Sequence, residues 1–222
     1  MTGRDVALVC GRAPWIPRRL EGRDMAYWLL ETPFFEMSVA ELPGPASRLL
    51  ANAQNTGVGG GHDLNCRTLA ALGVTLTGRL VGANDDTAYF ADDLADSVSF
   101  GDARYADVRA LISRTRQAGG LPVPEMPKPA PFLPTATASL KLRGLGCAIV
   151  TAGYRPAYEW VHPADAFDNL GFPLHENGAS TTVPGLYFVG VHFLRKRKSS
   201  LLVGVGEDAT LVAEQVAQTT AP

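Results

Sequence analysis

The stretch VGVHFLRKRKSSLLVGVGEDA, Val189 to Ala209, decides how the rest of this chain is read. Four consecutive basic residues, Arg195, Lys196, Arg197 and Lys198, precede two serines, an apolar run and the pair Gly204 and Gly206. On this segment alone the basic run is a solvated rim, an arm for nucleic acid or a phosphate loop. A strand, then Gly204-x-Gly206-x-x-Ala209, then a helix is the layout of a dinucleotide fingerprint. It equally suits a tight turn before a packing helix. Only residues 210–222 follow, too few for a second strand and its acidic ribose-binding residue. As a complete fingerprint the match is therefore false. The glycines still let a backbone approach a ligand, and the helix behind them offers free N–H groups and a positive dipole end.

Composition narrows the choice. The chain has 222 residues, 46% hydrophobic and 19% charged, with a net charge of -2. That length can bury a sizeable core. The charge balance lacks the basic surplus of a broad nucleic-acid face. Cys10, Cys66 and Cys147 are far apart and form no CxxC, so they read as reduced, partly buried thiols. The histidines, at 62, 162, 175 and 192, lack ligand spacing, and no metal site is expected. No apolar run approaches the roughly 20 residues of a membrane span. The opening residues are too poor in apolar side chains for a signal peptide, so a cytoplasmic location is expected.

Along the chain, Asp5–Cys10 reads as a buried parallel strand ending at Gly11. Pro14 and Pro17 then enforce a rigid loop. Asp24–Leu30 reads as helix, and Ser38 with Glu41 has capping-box form. Residues 55–61, NTGVGGG, read as a flexible loop. Asp63 is expected to cap a helix with Leu64, Leu69 and Leu72 on its apolar face, stopped by Gly73. Val74, Leu76 and Leu80 continue as an alternating strand, the second half of a βαβ unit. Residues 87–92 form a strand and 93–117 a helix. Residues 121–134 hold six prolines and form an extended connector. Beyond it, SLKLRGL (139–145) reads as helix, CAIVT (147–151) and GLYFVG (185–190) as buried strands, and 207–218 as an amphipathic helix. The alternation implies an α/β layer fold.

Three motifs, in order, carry a resemblance: TAGYRP at 151–156, PGLYFVG at 184–190, and the RKRKSSLLVGVGEDA run. Together with GRAPWIPRR, GGHDLN and FADDL upstream, they resemble the carboxyl-terminal portion of the flavin-dependent monooxygenases with two nucleotide-binding domains. The likeness is to the bacterial flavoproteins labelled as involved in potassium or cation transport. One departure is that Thr151-Ala152 stands where the family has Ala-Thr, which bears on which residue there meets the cofactor.

The resemblance implies an α/β, Rossmann-like flavoprotein fold binding FAD and NADPH. Residues 1–120 would be a partial NAD(P)H-binding domain, 121–137 the connector, and 138–222 the carboxyl-terminal part of the FAD domain. Ala152, Gly153 and Tyr154 would lie where one domain hands back to the other. Gly190 and Val191 would sit beside FAD, and Gly204, Gly206, Glu207 and Asp208 would aim a helix start at the flavin ring. Arg12 would grip the NADPH 2′-phosphate, assisted by Arg18 or Arg19. The basic tetrad would lie near anionic cofactors, with one or two members touching a phosphate. No acid–base residue is assigned. The implied activity is hydride transfer from NADPH to FAD followed by oxygen transfer to a small molecule.

Both amino-terminal glycine fingerprints of that family are missing from this chain. A second polypeptide supplying them, an inactive truncated subunit, or a reduced fold with another role are the alternatives. For the piece by itself an unpaired sheet edge, an exposed apolar face and weak FAD binding are expected.

Overall fold

The computed structural model describes residues 3–50 and 52–220. They fall into two compact units. The first comprises residues up to 32 together with 52–151, and the second comprises 33–50 and the residues from 152 onward.

The first unit begins with β1 (Ala7–Val9). Two turn-forming pairs follow, β2 (Arg19–Leu20) with β3 (Arg23–Asp24), then α1 (Met25–Leu30). Asp24 caps α1 by accepting the Ala26 N–H at 3.1 Å, the helix expected from the sequence. Residues 55–61 are a hairpin rather than an unstructured loop: β4 (Asn55–Thr56) pairs antiparallel with β5 (His62–Asp63). Gly59, Gly60 and Gly61 all have positive φ, which is what lets so short a link reverse the chain.

Next comes α2 (Cys66–Ala71). Its cap is Asn65, whose side-chain oxygen accepts the N–H groups of Arg67 and Thr68 at 2.9 and 3.1 Å. Asp63, the expected cap, sits in β5 and accepts the Arg18 N–H instead. Gly73, at φ +83°, ends the helix as expected. Leu72, placed by periodicity on the buried face, is exposed; Leu69 packs into a small core with Cys10, Leu76 and Leu94.

Strand β6 (Thr75–Thr77) runs parallel to β1, with α2 between them in the chain. This is the only parallel strand pair among the described elements. Gly78 breaks the strand expected to run on to Leu80, and β7 (Leu80–Ala83), β8 (Thr87–Phe90) and β9 (Ser139–Lys141) form an antiparallel sheet in that order. The molecule is thus a mixture of helices and small sheets, and the expected parallel layer is reduced to one pair. With only two strands that pair cannot bury both faces. Val6 and Val9 are accordingly 52% and 46% exposed, so the strand read as buried lies open.

The long helix α3 (Leu94–Ala118) buries Leu94, Val98, Gly101, Tyr105, Val108 and Ile112, a stripe at helical spacing. Gly101 is required: a Cβ there would stand 2.8 Å from the Trp15 ring, which lies against Tyr105 at 4.7 Å. Asp102 ties the layer together by accepting from Trp15 Nε1 and from both terminal nitrogens of Arg67. The proline-rich segment is extended, and its carbonyls at Pro122, Met126 and Ala130 accept from Arg116, Arg109 and Arg67.

Two local expectations fail in this region. Residues 139–141 are strand, not helix, because they complete the β8 edge. Residues 147–151 are irregular and exposed, with Ile149 at 82% and Val150 at 87%. An apolar run becomes a buried strand only where a sheet offers it a seat.

The second unit opens with two 3₁₀ turns, Val39–Glu41 and Pro45–Leu49. The first carries the expected capping box, the Glu41 carboxylate accepting the Ser38 N–H at 2.6 Å. Then come β10 (His175–Glu176), β11 (Ala179–Ser180) and α4 (Val205–Thr220). Asn177 and Gly178, both at positive φ, make the two-residue turn between β10 and β11, a hairpin that motif reading missed. Residues 185–190 form one bridge, Tyr187 to Ala179, instead of a full strand. Phe188, Val191 and Leu194 turn inward to join Ala166 and Phe172 in the core. His175 pins the hairpin. Its Nδ1 accepts the Gly178 N–H and its Nε2 meets the Leu194 carbonyl at 3.0 Å, so Nε2 carries the proton. Burial lowers its pKa and keeps it neutral.

No helix among the described residues is long and apolar enough to cross a membrane.

Candidate functional site

The quoted segment folds into a tight basic loop that feeds α4. Ser199, fully buried, organises it: its Oγ accepts the N–H groups of Arg195 and Lys196 at 3.1 and 3.0 Å. Residues 35–39 run alongside. Val39 N–H reaches the Arg195 carbonyl, Arg197 N–H the Met37 carbonyl, and Lys198 N–H the Phe35 carbonyl. The loop closes onto the helix through Leu201 N–H to Lys198 O at 2.8 Å and Val205 N–H to Leu201 O at 2.8 Å.

Each of the four basic side chains has an internal partner. Lys196 pairs with Glu36 at 2.7 Å and Glu207 at 3.3 Å, and Lys198 pairs with the same two carboxylates. Arg195 faces Asp208 at 3.4 Å. Arg197 lies over the rings of Phe34 and Phe193, at 4.4 and 5.0 Å, and approaches the Met37 sulfur. Four cations thus meet three carboxylates, leaving one positive charge. Paired in this way, the run keeps little net charge for a phosphate backbone to meet. Its expected contact with a cofactor phosphate also meets competition from Glu36, a residue that motif reading missed because it lies far upstream with no spacing signal.

The electrostatics follow from the pairing. Hydrogen bonds from Lys196, then Lys198, hold the Glu36 carboxyl below its ordinary range, and Lys198 does the same for Glu207. Glu207 raises Lys198, and Glu36 raises Lys196. A carboxylate lowered by folding contributes stability that is present above its unfolded pKa and lost as pH falls through the folded one. A raised lysine contributes stability present below its unfolded pKa and lost as pH rises through the folded one. The network is therefore expected to weaken at both extremes. Urea unfolding from about pH 6 down to about pH 3 checks the acid side. A Lys196→Met/Lys198→Met variant should lose less stability over that range than the parent, and equal losses would refute the network. The Glu side chains are about half exposed (49% and 47%), so salt screens the effect.

The remaining site residues lie as follows. Gly190 is exposed at φ +75°, and a Cβ there would stand 3.8 Å from the Val205 side chain at the start of α4. Val191 is buried in the core. Gly204 is buried against Lys198, whereas Gly206 faces open space in the first turn of α4. Asp208 is 2% exposed, and its Oδ2 has no hydrogen-bond partner; the neighbouring Arg195 Nη1 is likewise buried without one. Gly190 and residues 204–208 are therefore brought together.

Ala152, Gly153 and Tyr154 are not part of this cluster's hydrogen bonds or ion pairs; they are exposed, Tyr154 at 98%. In the first unit, Arg12 is exposed just past β1. Arg18 is held by Asp24 at 2.6 Å, and Arg19 donates to the carbonyls of Gly60 and Gly61 and so braces the β4–β5 hairpin. A separate polar depression of about 450 Å³ is lined by Glu176, Ser180, Thr181 and Gln215 and shares none of the glycines above.

Over 68 residues, 31% of its length, the chain is 35% identical to a protein of Geobacillus kaustophilus (strain HTA426) named uncharacterized oxidoreductase CzcO-like. Over 68 residues it is 38% identical to the uncharacterized oxidoreductase CzcO of Bacillus subtilis (strain 168). The match covers 19% of each relative, so the chain spans about a fifth of the length of the curated relatives it matches. No protein-family model and no solved structure matches it. At a coarse level, the chain is linked over that stretch to proteins that carry an oxidoreductase name.

Proposed function

We propose that this chain is a portion of an FAD- and NADPH-dependent oxidoreductase of the monooxygenase type, acting on a small molecule. Its 138–222 region would serve FAD, its 1–120 region NAD(P)H, and 121–137 would connect them. The observation that carries the reading is the first turn of α4. There Gly206 leaves space where a side chain would stand, and Asp208 Oδ2 is a buried acceptor lacking a donor.

These features fit FAD. A hydroxyl of its sugar-alcohol chain is the kind of donor that Asp208 lacks, and a glycine backbone admits a flat ring closely. When bound, FAD supplies two-electron chemistry with NADPH and dioxygen. The chain's own contribution is to bind, orient and exclude water. The amino end of α4 and the one positive charge left after Glu36, Glu207 and Asp208 are counted favour an anion. In the first unit, Arg12 is the exposed guanidinium suited to the NADPH 2′-phosphate.

Flavin fluorescence during titration tests this. The chain should quench FAD weakly, with bound flavin lost on desalting. Gly206→Leu should abolish the quenching while leaving the thermal midpoint unchanged or raised, since leucine is the better helix former. Quenching that survives Gly206→Leu, or no quenching at millimolar FAD, refutes the reading.

A second reading is favoured by β1, whose outer edge has no ladder partner among the described strands and whose Val9, with Val6 just before it, is exposed. Such an edge suits strand addition by another polypeptide. Co-expression with a chain carrying both glycine fingerprints would then give a stoichiometric, FAD-retaining complex; separate elution of the two chains counts against it.

A further inference from the structure

Cys10 and Cys66 are far apart in sequence and meet in the first unit. Cys10 follows β1 and is buried with Leu76 and Leu94; Cys66 opens α2 and packs against the same cluster, half-buried. The two side chains share one apolar cluster, and both thiols are free. Cys147 is exposed and in an irregular stretch, which makes it an internal comparison.

We propose that Cys10 and Cys66 form a peroxide-responsive pair: Cys66 reacts first, and Cys10 then closes a disulfide between the end of β1 and the first turn of α2. The division of labour follows from position. Cys66 is the less buried residue, and Arg67 follows it in the chain, whereas Cys10 is 5% exposed. Cys10 Sγ lies 3.6 Å from the Leu8 carbonyl and belongs to the cluster against which Cys66 packs. The interaction between the two thiols lowers the Cys66 pKa to about 7 and pushes Cys10 upward, so Cys66 is the one that holds the negative charge.

The chemistry balances. The Cys66 thiolate attacks one oxygen of hydrogen peroxide, the O–O bond breaks, and the departing hydroxide takes a proton to become water. Cys66 is then a sulfenic acid. The Cys10 sulfur attacks the Cys66 sulfur, the S–O bond breaks, and hydroxide leaves with the Cys10 proton as a second water. Two thiols lose two electrons, and one peroxide becomes two waters. None of this depends on FAD or NADPH.

The test uses the full chain carrying Cys147→Ser, so that no substitution touches the pair. One equivalent of hydrogen peroxide should remove both thiols toward a chromogenic disulfide reagent. The intact mass should fall by two hydrogens, and a peptide joining Cys10 to Cys66 should appear that dithiothreitol reverses. The rate should rise with pH through a midpoint near about 7. In Cys10→Ser the reaction should stop at Cys66 and be trapped by dimedone. Oxygen added to Cys66 with the Cys10 thiol intact in the parent chain overturns the proposal. So does survival of both thiols under conditions that oxidise Cys147 in the unsubstituted chain.

Discussion

Replacing Asp208 with alanine is expected to destabilise the second unit by about 3–5 kcal/mol, the range for removing one partner of a buried pair. Asp208 is 2% exposed and the Arg195 side chain 19%, so neither charge can turn to water without opening the start of α4. Arg195 already has a buried nitrogen without a hydrogen-bond partner. Removing the carboxylate leaves the whole guanidinium uncompensated. Urea unfolding followed by far-ultraviolet circular dichroism measures the loss, and a value under about 1 kcal/mol would show that the pair is solvated. The double variant Arg195→Met/Asp208→Leu should recover most of the loss, because an apolar pair of similar volume carries no desolvation cost. If the double variant is as unstable as the single, packing rather than charge explains the effect.

Gly204→Ala should cost about 2–3 kcal/mol, as overpacking a closed site does. A Cβ on Gly204 would fall on the Lys198 carbonyl oxygen and on its side chain. That carbonyl cannot retreat, since it accepts the Leu201 N–H at 2.8 Å in the turn that starts α4. The variant should also shed the pH dependence of the lysine–glutamate network, because Lys198 must shift. Gly206→Ala, two residues on, meets nothing within 4 Å and should be neutral or stabilising. Thermal unfolding of the two variants side by side decides the point. Equal midpoints would mean that the loop before α4 yields freely and Gly204 is not a close-packing position.

The contrast between these glycines shows where reading the chain stops. Their spacing is identical to the eye, and both belong to one motif. Only the fold presses one against Lys198 and leaves the other open. The same holds for the basic tetrad, whose neutralisation by Glu36 depends on residues 33–39 returning beside it. Arg18 and Arg19, read as assisting a phosphate contact, are in three dimensions also committed internally, Arg18 to Asp24 and Arg19 to the carbonyls of the glycine hairpin.

What the sequence by itself determined is local: α1, α3 and α4, the Gly73 stop, the Ser38 capping box and the strand at 87–90. These rest on side-chain periodicity and on caps within four residues, which act wherever the segment sits. The Asn177-Gly178 turn escaped motif reading, although its backbone chemistry is carried by two residues. Tertiary structure alone decided which apolar runs became strands. CAIVT has the composition of a buried strand and lies exposed, while SLK, read as helix, became the third strand of a sheet. A strand's hydrogen bonds are made by another segment, so its existence depends on a partner that no local pattern names.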